Sequence, residues 1–427
     1  MKKLTSSFAA LALSLAALVA MGALNPAHAA DQDVVARGQY LARAGDCMAC
    51  HSAAGKPAYS GGLAIDSGHG IIYSTNITPD KEHGIGNYTE AQFAKAVRHG
   101  VRADGTQLYP AMPYPSYAKV SDEDIHALYT YFMQGVKPVA TAAPASSMSF
   151  PFNIRWGMKL WNIFFANDKP FKEQDGWNAE IRRGAYLVEG LGHCGSCHTP
   201  RGFAMNEKAS DSSQAQFLSG GDLNGWAVPS LRGMPHWSAQ DIVDYLQTGR
   251  NKTASVAGEM SLVVEHSTAH LKSEDLQAIA AYLKTLSPVA SSSSGRVTPQ
   301  GAEATARKLT AAKDLTLGER LYLDNCAACH FVNGRGAPGI FPVLDGATVV
   351  NADNPSALLH VILAGARTPS TEKAPSILVM PGFAHRLSDK EAAELATFVR
   401  QGWSNQAGAV SESQVSRMRA GLAREGS

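Results

Sequence analysis

The hexapeptide "DCMACH" at residues 46–51 recurs in altered form as "HCGSCH" at 193–198 and as "NCAACH" at 325–330. Each copy has two cysteines three positions apart and a histidine directly after the second. These copies contain all six cysteines of the chain, namely Cys47, Cys50, Cys194, Cys197, Cys326 and Cys329. The CxxCH pattern is the attachment signal of c-type haem. The sequence therefore predicts three covalently bound haem c groups in one chain.

The order of residues within each copy suits haem attachment. Two thiols three residues apart lie on one side of a helical turn, where they form thioethers to the two vinyl groups of the haem. The next residue directs its imidazole at the iron, which predicts His51, His198 and His330 as proximal ligands. A disulfide framework does not require a histidine after every second cysteine, and an isolated CxxC pair supplies too few ligands for zinc.

Residues 1–29 have the pattern of a secretory signal peptide. Two lysines precede an apolar stretch, and "AHA" at 27–29 fits an A-x-A cleavage site. An N-terminal membrane helix is the alternative, but polar and small residues interrupt the apolar stretch. No later stretch approaches the ~20 continuous apolar residues that a membrane span needs. We therefore expect an exported protein that has no transmembrane helix after the signal peptide.

The charge of the chain is nearly balanced, with 38 Lys and Arg against 37 Asp and Glu among 427 residues. This balance gives no reason to expect nucleic acid as a partner. A chain of this length is expected to form roughly two to four domains.

Each haem motif lies within a longer repeat. A short helical segment with a glycine precedes each motif, at Gly38, Gly184 and Gly318. A second helical segment follows at a distance, with a serine as its predicted N-cap, at Ser121, Ser273 and Ser388. Nine or ten residues after that serine each segment carries an aromatic residue, Tyr131, Tyr282 or Phe398. The glycine allows the aromatic residue of the last helix to cross the first helix closely.

A methionine lies between the haem motif and the last helix of every repeat, at Met112, Met260 and Met380. A thioether as sixth ligand raises the reduction potential of haem iron and suits electron transfer. We expect these methionines to be the distal ligands, each in a loop, although His266 and His270 compete with Met260. Prolines after two of the motifs, Pro200, Pro338 and Pro342, favour turns that hold a backbone carbonyl against the proximal imidazole.

The repeats and their composition predict the following division: signal peptide 1–29, first haem domain 31–136, aromatic linker 137–177, second haem domain 178–287, flexible linker 288–311, third haem domain 312–403 and tail 404–427. The segment "SFPFNIRWGMKLWNIFF" at 149–165 is rich in aromatic residues and has few charges. Three readings remain open for it: packing against the haem domains of its own chain, contact with a membrane or partner, or a position beside a quinone pocket.

The stretches "GDCMACH", "YPAMPYPSY", "GHCGSCHTPRGFAM" and "FLSGG" resemble the three-haem cytochrome c subunits of bacterial membrane-bound dehydrogenases. The resemblance implies an all-α fold of three tandem class I cytochrome c domains. It further implies a partner subunit that carries flavin or pyrroloquinoline quinone, and electron transfer through the haems to ubiquinone at the periplasmic face of the cytoplasmic membrane. The family serves gluconate 2-dehydrogenase and quinoprotein alcohol dehydrogenase, and the aromatic linker is more similar to the gluconate type.

Two other functions fit the motifs less well. A multihaem peroxidase needs an open sixth position on its iron, whereas a methionine is available in every repeat. A free periplasmic electron carrier does not need the aromatic linker. No nucleotide-binding loop and no catalytic nucleophile set is evident, so we expect no catalytic residue in this chain.

Overall fold

The computed structural model describes residues 26–166, 169–289 and 299–425. Residues 1–25 of the predicted signal peptide lie outside the described residues, and residues 26–29 form the start of the first helix. Helices dominate the described chain and follow one order three times: a first helix, a short helix that carries the CxxCH motif, and a last helix that packs on the first. In the part of the chain described, no helix is long and apolar enough to cross a bilayer.

The first repeat and the segment after it contain six helices and three strands. The helices are α1 (Pro26–Ala44), α2 (Cys47–His51), α3 (Glu90–His99), α4 (Tyr114–Tyr117), α5 (Asp122–Thr130), which a π-helical turn (Tyr131–Gly135) continues, and α6 (Gly157–Phe165). The strands are β1 (Ala64–Asp66), β2 (Gly70–Tyr73) and β3 (Ser147–Met148).

The second repeat has five helices and a two-stranded hairpin. The helices are α7 (Ala179–Tyr186), continued by a π-helical turn (Leu187–Leu191), α8 (Gly195–His198), α9 (Ala239–Thr248), α10 (Glu259–His266), followed by a 3₁₀ turn (Thr268–His270), and α11 (Ser273–Thr285). The strands are β4 (Gly221–Leu223) and β5 (Trp226–Val228).

The third repeat has seven helices and one pair of very short strands. The helices are α12 (Pro299–Ala311), α13 (Leu317–Asn325), α14 (Ala327–His330), α15 (Thr348–Asn351), α16 (Ser356–Ala364), α17 (Asp389–Gln401) and α18 (Glu412–Glu425). The strands are β6 (Ala366–Arg367) and β7 (Val379–Met380).

Three small antiparallel sheets correct the expectation of a strictly all-α fold. They have the orders β1-β2-β3, β4-β5 and β6-β7. Strand β3 comes from the predicted aromatic linker and pairs with β2, with Ser147 opposite Ile71. The linker is therefore fastened to the first repeat by backbone hydrogen bonds, which the composition of the segment did not reveal.

Two terminal segments of the third repeat are also more ordered than the sequence predicts. The flexible linker assigned to 288–311 contains α12, on which Leu309 is almost fully buried in the core of the third repeat and Lys308 pairs with Glu319 at 2.6 Å. In the predicted tail, α18 packs against α16 and α17, with Val415 fully buried. A few apolar side chains in otherwise polar helices hold both segments in place, Leu309 with Ala302 on α12 and Val415 with Met418 and Leu422 on α18.

The first helix crosses the last helix at a glycine in every repeat, as the sequence predicts. A Cβ on Gly38 would lie 2.6 Å from the Cβ of Tyr131, and one on Gly184 would lie 2.8 Å from that of Tyr282. In the third repeat the distance from Gly318 to the Cβ of Phe398 would be 2.9 Å. Real Cβ atoms do not approach this closely, so only glycine permits the crossing.

The predicted N-caps are confirmed in two of the three last helices. Ser121 accepts a hydrogen bond from the backbone N–H of Asp124. Ser388 forms a capping box with Glu391. Ser273 is instead the first helical residue of α11, because the helix begins one residue after Lys272.

A cluster around Asp124 joins the first repeat to the second. Arg37 on α1 pairs with Asp124 on α5 at 2.7 Å. Tyr186, on α7 of the second repeat, donates its hydroxyl hydrogen to the other oxygen of Asp124 at 2.6 Å. The Asp124 carboxylate thus pairs with a cation of its own repeat and accepts a hydrogen bond from a hydroxyl of the neighbouring repeat.

A matching cluster surrounds Asp275, but here the second repeat supplies the arginine and the aspartate, and the first repeat supplies the tyrosine. Arg183 on α7 binds Asp275 on α11 through two hydrogen bonds of 2.7 Å, and Tyr40 of the first repeat donates to it at 2.5 Å. The pKa of Asp275 stays below its ordinary value because these bonds outweigh the effect of burial. The third repeat has Leu317 and Arg320 at the positions of the arginine and tyrosine, so it cannot form this cluster.

The third repeat contacts the second through different groups. Asn354 donates to Asp222 at 2.6 Å, and the backbone N–H of Val343 donates to the carbonyl of Thr253 at 2.9 Å. The ring of Trp226 lies over His360, with 4.0 Å between centroids. The first and second repeats therefore form a nearly symmetric pair, and the third repeat packs against the second repeat.

Gly184→Ala is expected to destabilise the second repeat by about 2 kcal/mol or more, because the new Cβ collides with the backbone carbonyl of Ala278 and with Tyr282. The check is the guanidinium midpoint of the haem-loaded protein. Gly421→Ala is the matched control, since its Cβ would meet nothing within 4 Å on α18. Helix propensity predicts that the control gains roughly 0.5–1 kcal/mol. Equal effects of the two substitutions would contradict the close crossing.

Candidate haem sites

The three CxxCH motifs lie on α2, α8 and α14, directly after the first helix of their repeats. In the first two repeats the residue before the first cysteine has a left-handed backbone, with φ of 51° at Asp46 and 36° at His193. This residue lies two positions after the end of the preceding helical segment and turns the chain so that the motif starts a new helical turn. The motif is thereby fixed relative to the crossing of the first and last helices.

No two of the six cysteines are joined in a disulfide. Burial raises the pKa of Cys47, Cys194 and Cys326 to about 12, and that of Cys50 and Cys197 to about 11. Among the described residues, no three side chains of His, Cys, Asp or Glu converge on a metal-sized site.

Each histidine predicted as a proximal ligand is oriented by a backbone carbonyl. Nδ1 of His51 lies 2.7 Å from the carbonyl oxygen of Thr75, Nδ1 of His198 lies 2.8 Å from that of Pro229, and Nδ1 of His330 lies 2.9 Å from that of Pro342. A carbonyl only accepts, so Nδ1 must carry the hydrogen and Nε2 keeps its lone pair. The three imidazoles are therefore held in the tautomer that ligates iron.

Burial lowers the pKa of His51, His198 and His330, although the carbonyl hydrogen bonds act in the opposite direction. The neutral imidazole, which is the form that binds a metal, is thus favoured at neutral pH.

The carbonyls that orient the histidines were only partly accessible from the sequence. The prolines after the motifs indicate turns without indicating which carbonyl binds the imidazole, and in the third repeat it is the carbonyl of Pro342. Pro200 instead accepts from the backbone N–H of Lys208, and the second histidine uses Pro229. The first histidine uses Thr75, which no proline signals.

The candidate distal methionines occupy three kinds of backbone. Met112 lies in a bend between Tyr109 and Tyr114 and packs against the core of the first repeat. Met380 ends strand β7 and packs against the core of the third repeat. Met260 is the second residue of α10 and is partly buried. The expectation of a loop is therefore correct for Met112 alone.

The two histidines near Met260 make different contacts. Nε2 of His270 lies 2.9 Å from the carbonyl oxygen of Glu265, so this ring is turned toward its own backbone. The backbone carbonyl of His266 accepts from Arg43 of the first repeat, which ties the end of α10 to α1.

The first two motifs face each other across the interface between their repeats. Helix α10 of the second repeat contacts α2 of the first. The Tyr117 ring packs edge-on against His193 at 5.6 Å, and its hydroxyl donates to the carbonyl of Gly45. Gly45 and His193, which lie just before the first and second CxxC pairs, therefore both contact Tyr117.

These residues fit c-type haem. Each motif presents two neighbouring thiols on one helical turn and an imidazole whose Nε2 is free to ligate, with a partly buried methionine elsewhere in the same repeat. This donor set has the soft thioether and the imidazole that electron-transfer haems use.

Comparison with known protein families supports the same conclusion. The family model described as cytochrome c matches three times, at residues 35–135, 181–287 and 315–403. Each match contains one CxxCH motif and one candidate methionine.

Full-length relatives are cytochrome subunits of dehydrogenases. The alcohol dehydrogenase (quinone) cytochrome c subunit of Gluconobacter oxydans (strain 621H) is 44% identical over 418 residues, which are 95% of this chain and 87% of that protein. The gluconate 2-dehydrogenase cytochrome c subunit of Pantoea cypripedii is 44% identical, with 92% of this chain and 91% of that protein covered. The fructose dehydrogenase cytochrome subunit of Gluconobacter japonicus is 40% identical, with 91% and 83% covered.

Asp46 is a buried acid beside the first motif that the sequence did not single out. Its side chain is 8% exposed, and Oδ1 has no hydrogen-bond partner. Burial raises its pKa from 3.8 to about 8, although Arg43 acts in the opposite direction. The folded protein therefore holds a proton on Asp46 between about pH 4 and pH 8 that the unfolded chain has lost.

This proton makes folding stability fall as pH rises through that window, with a slope of up to about 1.4 kcal/mol per pH unit. Asp46→Asn keeps the left-handed backbone, which asparagine tolerates, and removes the titration. We expect this variant to have a flatter pH profile than the parent and to be the more stable protein at pH 8. Guanidinium midpoints between pH 5 and pH 8 test this expectation, with Asp33→Asn, an exposed site on α1, as the control. Parallel profiles for Asp46→Asn and the parent would refute it.

Proposed function

The chain belongs to the cytochrome c family and carries three c-type haems, and from this premise we propose that it is the electron-transfer subunit of a dehydrogenase complex at the periplasmic face of the cytoplasmic membrane. The observation that carries the proposal is the repetition of one donor set. Three proximal imidazoles are locked by carbonyls, and each repeat offers a methionine for the opposite side of the iron. Iron with both axial positions filled exchanges electrons and does not bind substrate.

The proposed electron donor is a dehydrogenase subunit that carries flavin or pyrroloquinoline quinone. The relatives that cover the chain almost completely are named as cytochrome subunits of alcohol, gluconate and fructose dehydrogenases, which supports a partner of this class. The proposed acceptor is ubiquinone, and residues 1–29 would direct export of the chain and be removed from it.

Each haem supplies a one-electron centre when bound, and the residues of this chain determine how it behaves. Cys47, Cys50 and their counterparts in the other repeats would fix the haem covalently. The carbonyls of Thr75, Pro229 and Pro342 hold the imidazoles so that ligation needs no reorientation. Met112, Met260 and Met380 are the proposed distal ligands, whose thioethers stabilise the reduced iron.

The substrate is bound by the partner subunit and not by this chain. We propose gluconate as the first substrate, because segment 149–165 resembles the gluconate 2-dehydrogenase type. A small alcohol is the alternative, since the quinone-dependent alcohol dehydrogenase subunit has the same 44% identity.

Met380→Leu is expected to remove the distal ligand of the third haem while nearly preserving side-chain volume. One third of the sulfur-to-iron charge-transfer absorption of the ferric protein should be lost, and one of three reduction potentials should fall. Met418→Leu is the control, because Met418 packs on the same core from α18 without belonging to the donor set. Redox titration of the haem-loaded protein measures both effects. If all three potentials were unchanged, Met380 would not be a ligand.

The complex should reduce its haems when the correct substrate is added. We would purify the detergent-solubilised complex through a tag on this chain, add gluconate or ethanol without oxygen, and record the absorbance of reduced haem. Reduction by gluconate alone supports the proposed substrate, and reduction by ethanol alone supports the alternative. If no large subunit co-purifies and neither compound reduces haem, a free electron carrier becomes the better description.

A further inference from the structure

Helix α6 exposes an apolar stripe to solvent. The residues of this stripe are spaced as one helical face, and three of them are strongly exposed: Trp156 by 67%, Ile163 by 73% and Phe164 by 74%. Leu160 and Lys159 complete the face. A surface helix normally turns such a face toward the core, so α6 is inverted with respect to the usual pattern.

The opposite face of α6 is attached to the two neighbouring repeats. Asn162 accepts a hydrogen bond from Tyr114 at 2.6 Å and donates one to Gln107 at 3.1 Å. The indole N–H of Trp161 donates to the carbonyl of Ala204 at 2.8 Å. These hydrogen bonds fix the orientation of α6 about its own axis. The apolar stripe therefore faces solvent because the opposite face is bonded to the two repeats.

A loop of the second repeat extends the same surface. Phe203 is 95% exposed, and its ring lies edge-on to that of Phe165 at a centroid distance of 5.6 Å. Met205 follows in the loop and is also exposed. Arg201 holds the loop by donating to the carbonyls of Met205 and Ser196, and Ser196 lies inside the second CxxCH motif. We call the stripe of α6 together with Phe203 and Met205 the aromatic face.

The charges of the aromatic face favour a negatively charged lipid surface. Segments 149–166 and 199–206 contain no acidic residue, and the exposed Lys159 supplies a positive charge. The guanidinium of Arg155 lies over the ring of Tyr109, and that of Arg201 donates to carbonyls of its own loop, so both of these cations are engaged within the chain. Lys159 lies at the edge of the stripe, between Trp156 and Ile163 along the helix. At a bilayer the stem of such a lysine lies along the apolar surface and its ammonium reaches the phosphates. Tryptophan and phenylalanine suit the same depth.

We propose that the aromatic face docks into the headgroup region of an anionic lipid bilayer and that it places the second CxxCH site directly behind the docked surface. This proposal rests on the proposed function, because a membrane-dissolved quinone must be reached from the bilayer surface. Docking would need only the outer stripe and the loop, without a membrane-spanning helix. Two of the interpretations of segment 149–165 then apply together. One face of α6 packs against the repeats of its own chain, and the other face contacts the membrane.

The test uses the full-length haem-loaded chain and vesicles of phosphatidylethanolamine with phosphatidylglycerol. Co-sedimentation is followed by haem absorbance. The triple variant Trp156→Ser/Ile163→Ser/Phe164→Ser should partition about a thousandfold less, since each of the three large side chains withdrawn from an apolar environment costs roughly a factor of ten. Lys159→Gln should weaken binding mainly at low salt. The control is Val349→Ser/Ile377→Ser, two exposed apolar sites of the third repeat, which should bind as the parent does.

Three outcomes would overturn the proposal: no binding of the parent chain to these vesicles, equal binding of the triple variant, or equal loss of binding in the control. If the triple variant keeps its vesicle binding but no longer co-purifies with the large subunit, the aromatic face is a protein interface instead. Failure of the proposed function is a separate result. In that case no dehydrogenase substrate reduces the haems, whether or not the aromatic face binds lipid.

Discussion

The close crossing of the first and last helices is the constraint on which each repeat depends. At Gly38, Gly184 and Gly318 no side chain separates the two backbones, and the aromatic residue of the last helix lies against the glycine. The CxxCH helix begins within a few residues of the end of the first helix, so this crossing fixes its position. The carbonyl acceptors come from later loops, which must return to the same place. A larger distance between the two helices would move the thiols and the imidazole away from the loops that supply the acceptor carbonyls.

The three repeats share this frame but not the surface around it. The first two repeats each supply an arginine, an aspartate and a tyrosine, and the tyrosines are exchanged across the interface. A buried ion pair between Lys119 and Glu189 crosses the same interface. Since ion pairs deprived of water are stable only when well satisfied, these contacts specify one arrangement of the two repeats. The third repeat lacks the cluster residues, and this difference explains why it packs at another surface of the second.

Features that recur in all three repeats could be predicted from the sequence, and features that occur in a single repeat could not. The glycines, aromatic residues, thiols and histidines stand at matching positions in three copies, and so each could be identified from the others. The acceptor carbonyls lie 24, 31 and 12 residues from their histidines, in loops of different length and composition. Helix α12 was missed because its composition is polar, and few of its side chains, chiefly the buried Leu309, pack on the core. Strand β3 was missed because two residues carry no periodic pattern.

The aromatic linker shows why composition alone left its role open. Both faces of α6 are apolar, so the sequence pattern cannot tell which face is inside. The structure decides this through polar atoms: Asn162 and the indole N–H of Trp161 find partners in the neighbouring repeats, and burying the other face would leave them without those partners. The cost of an unsatisfied buried amide or indole, about 1–3 kcal/mol each, opposes rotation of the helix. The apolar stripe therefore stays outward, where only an apolar environment outside this chain can cover it.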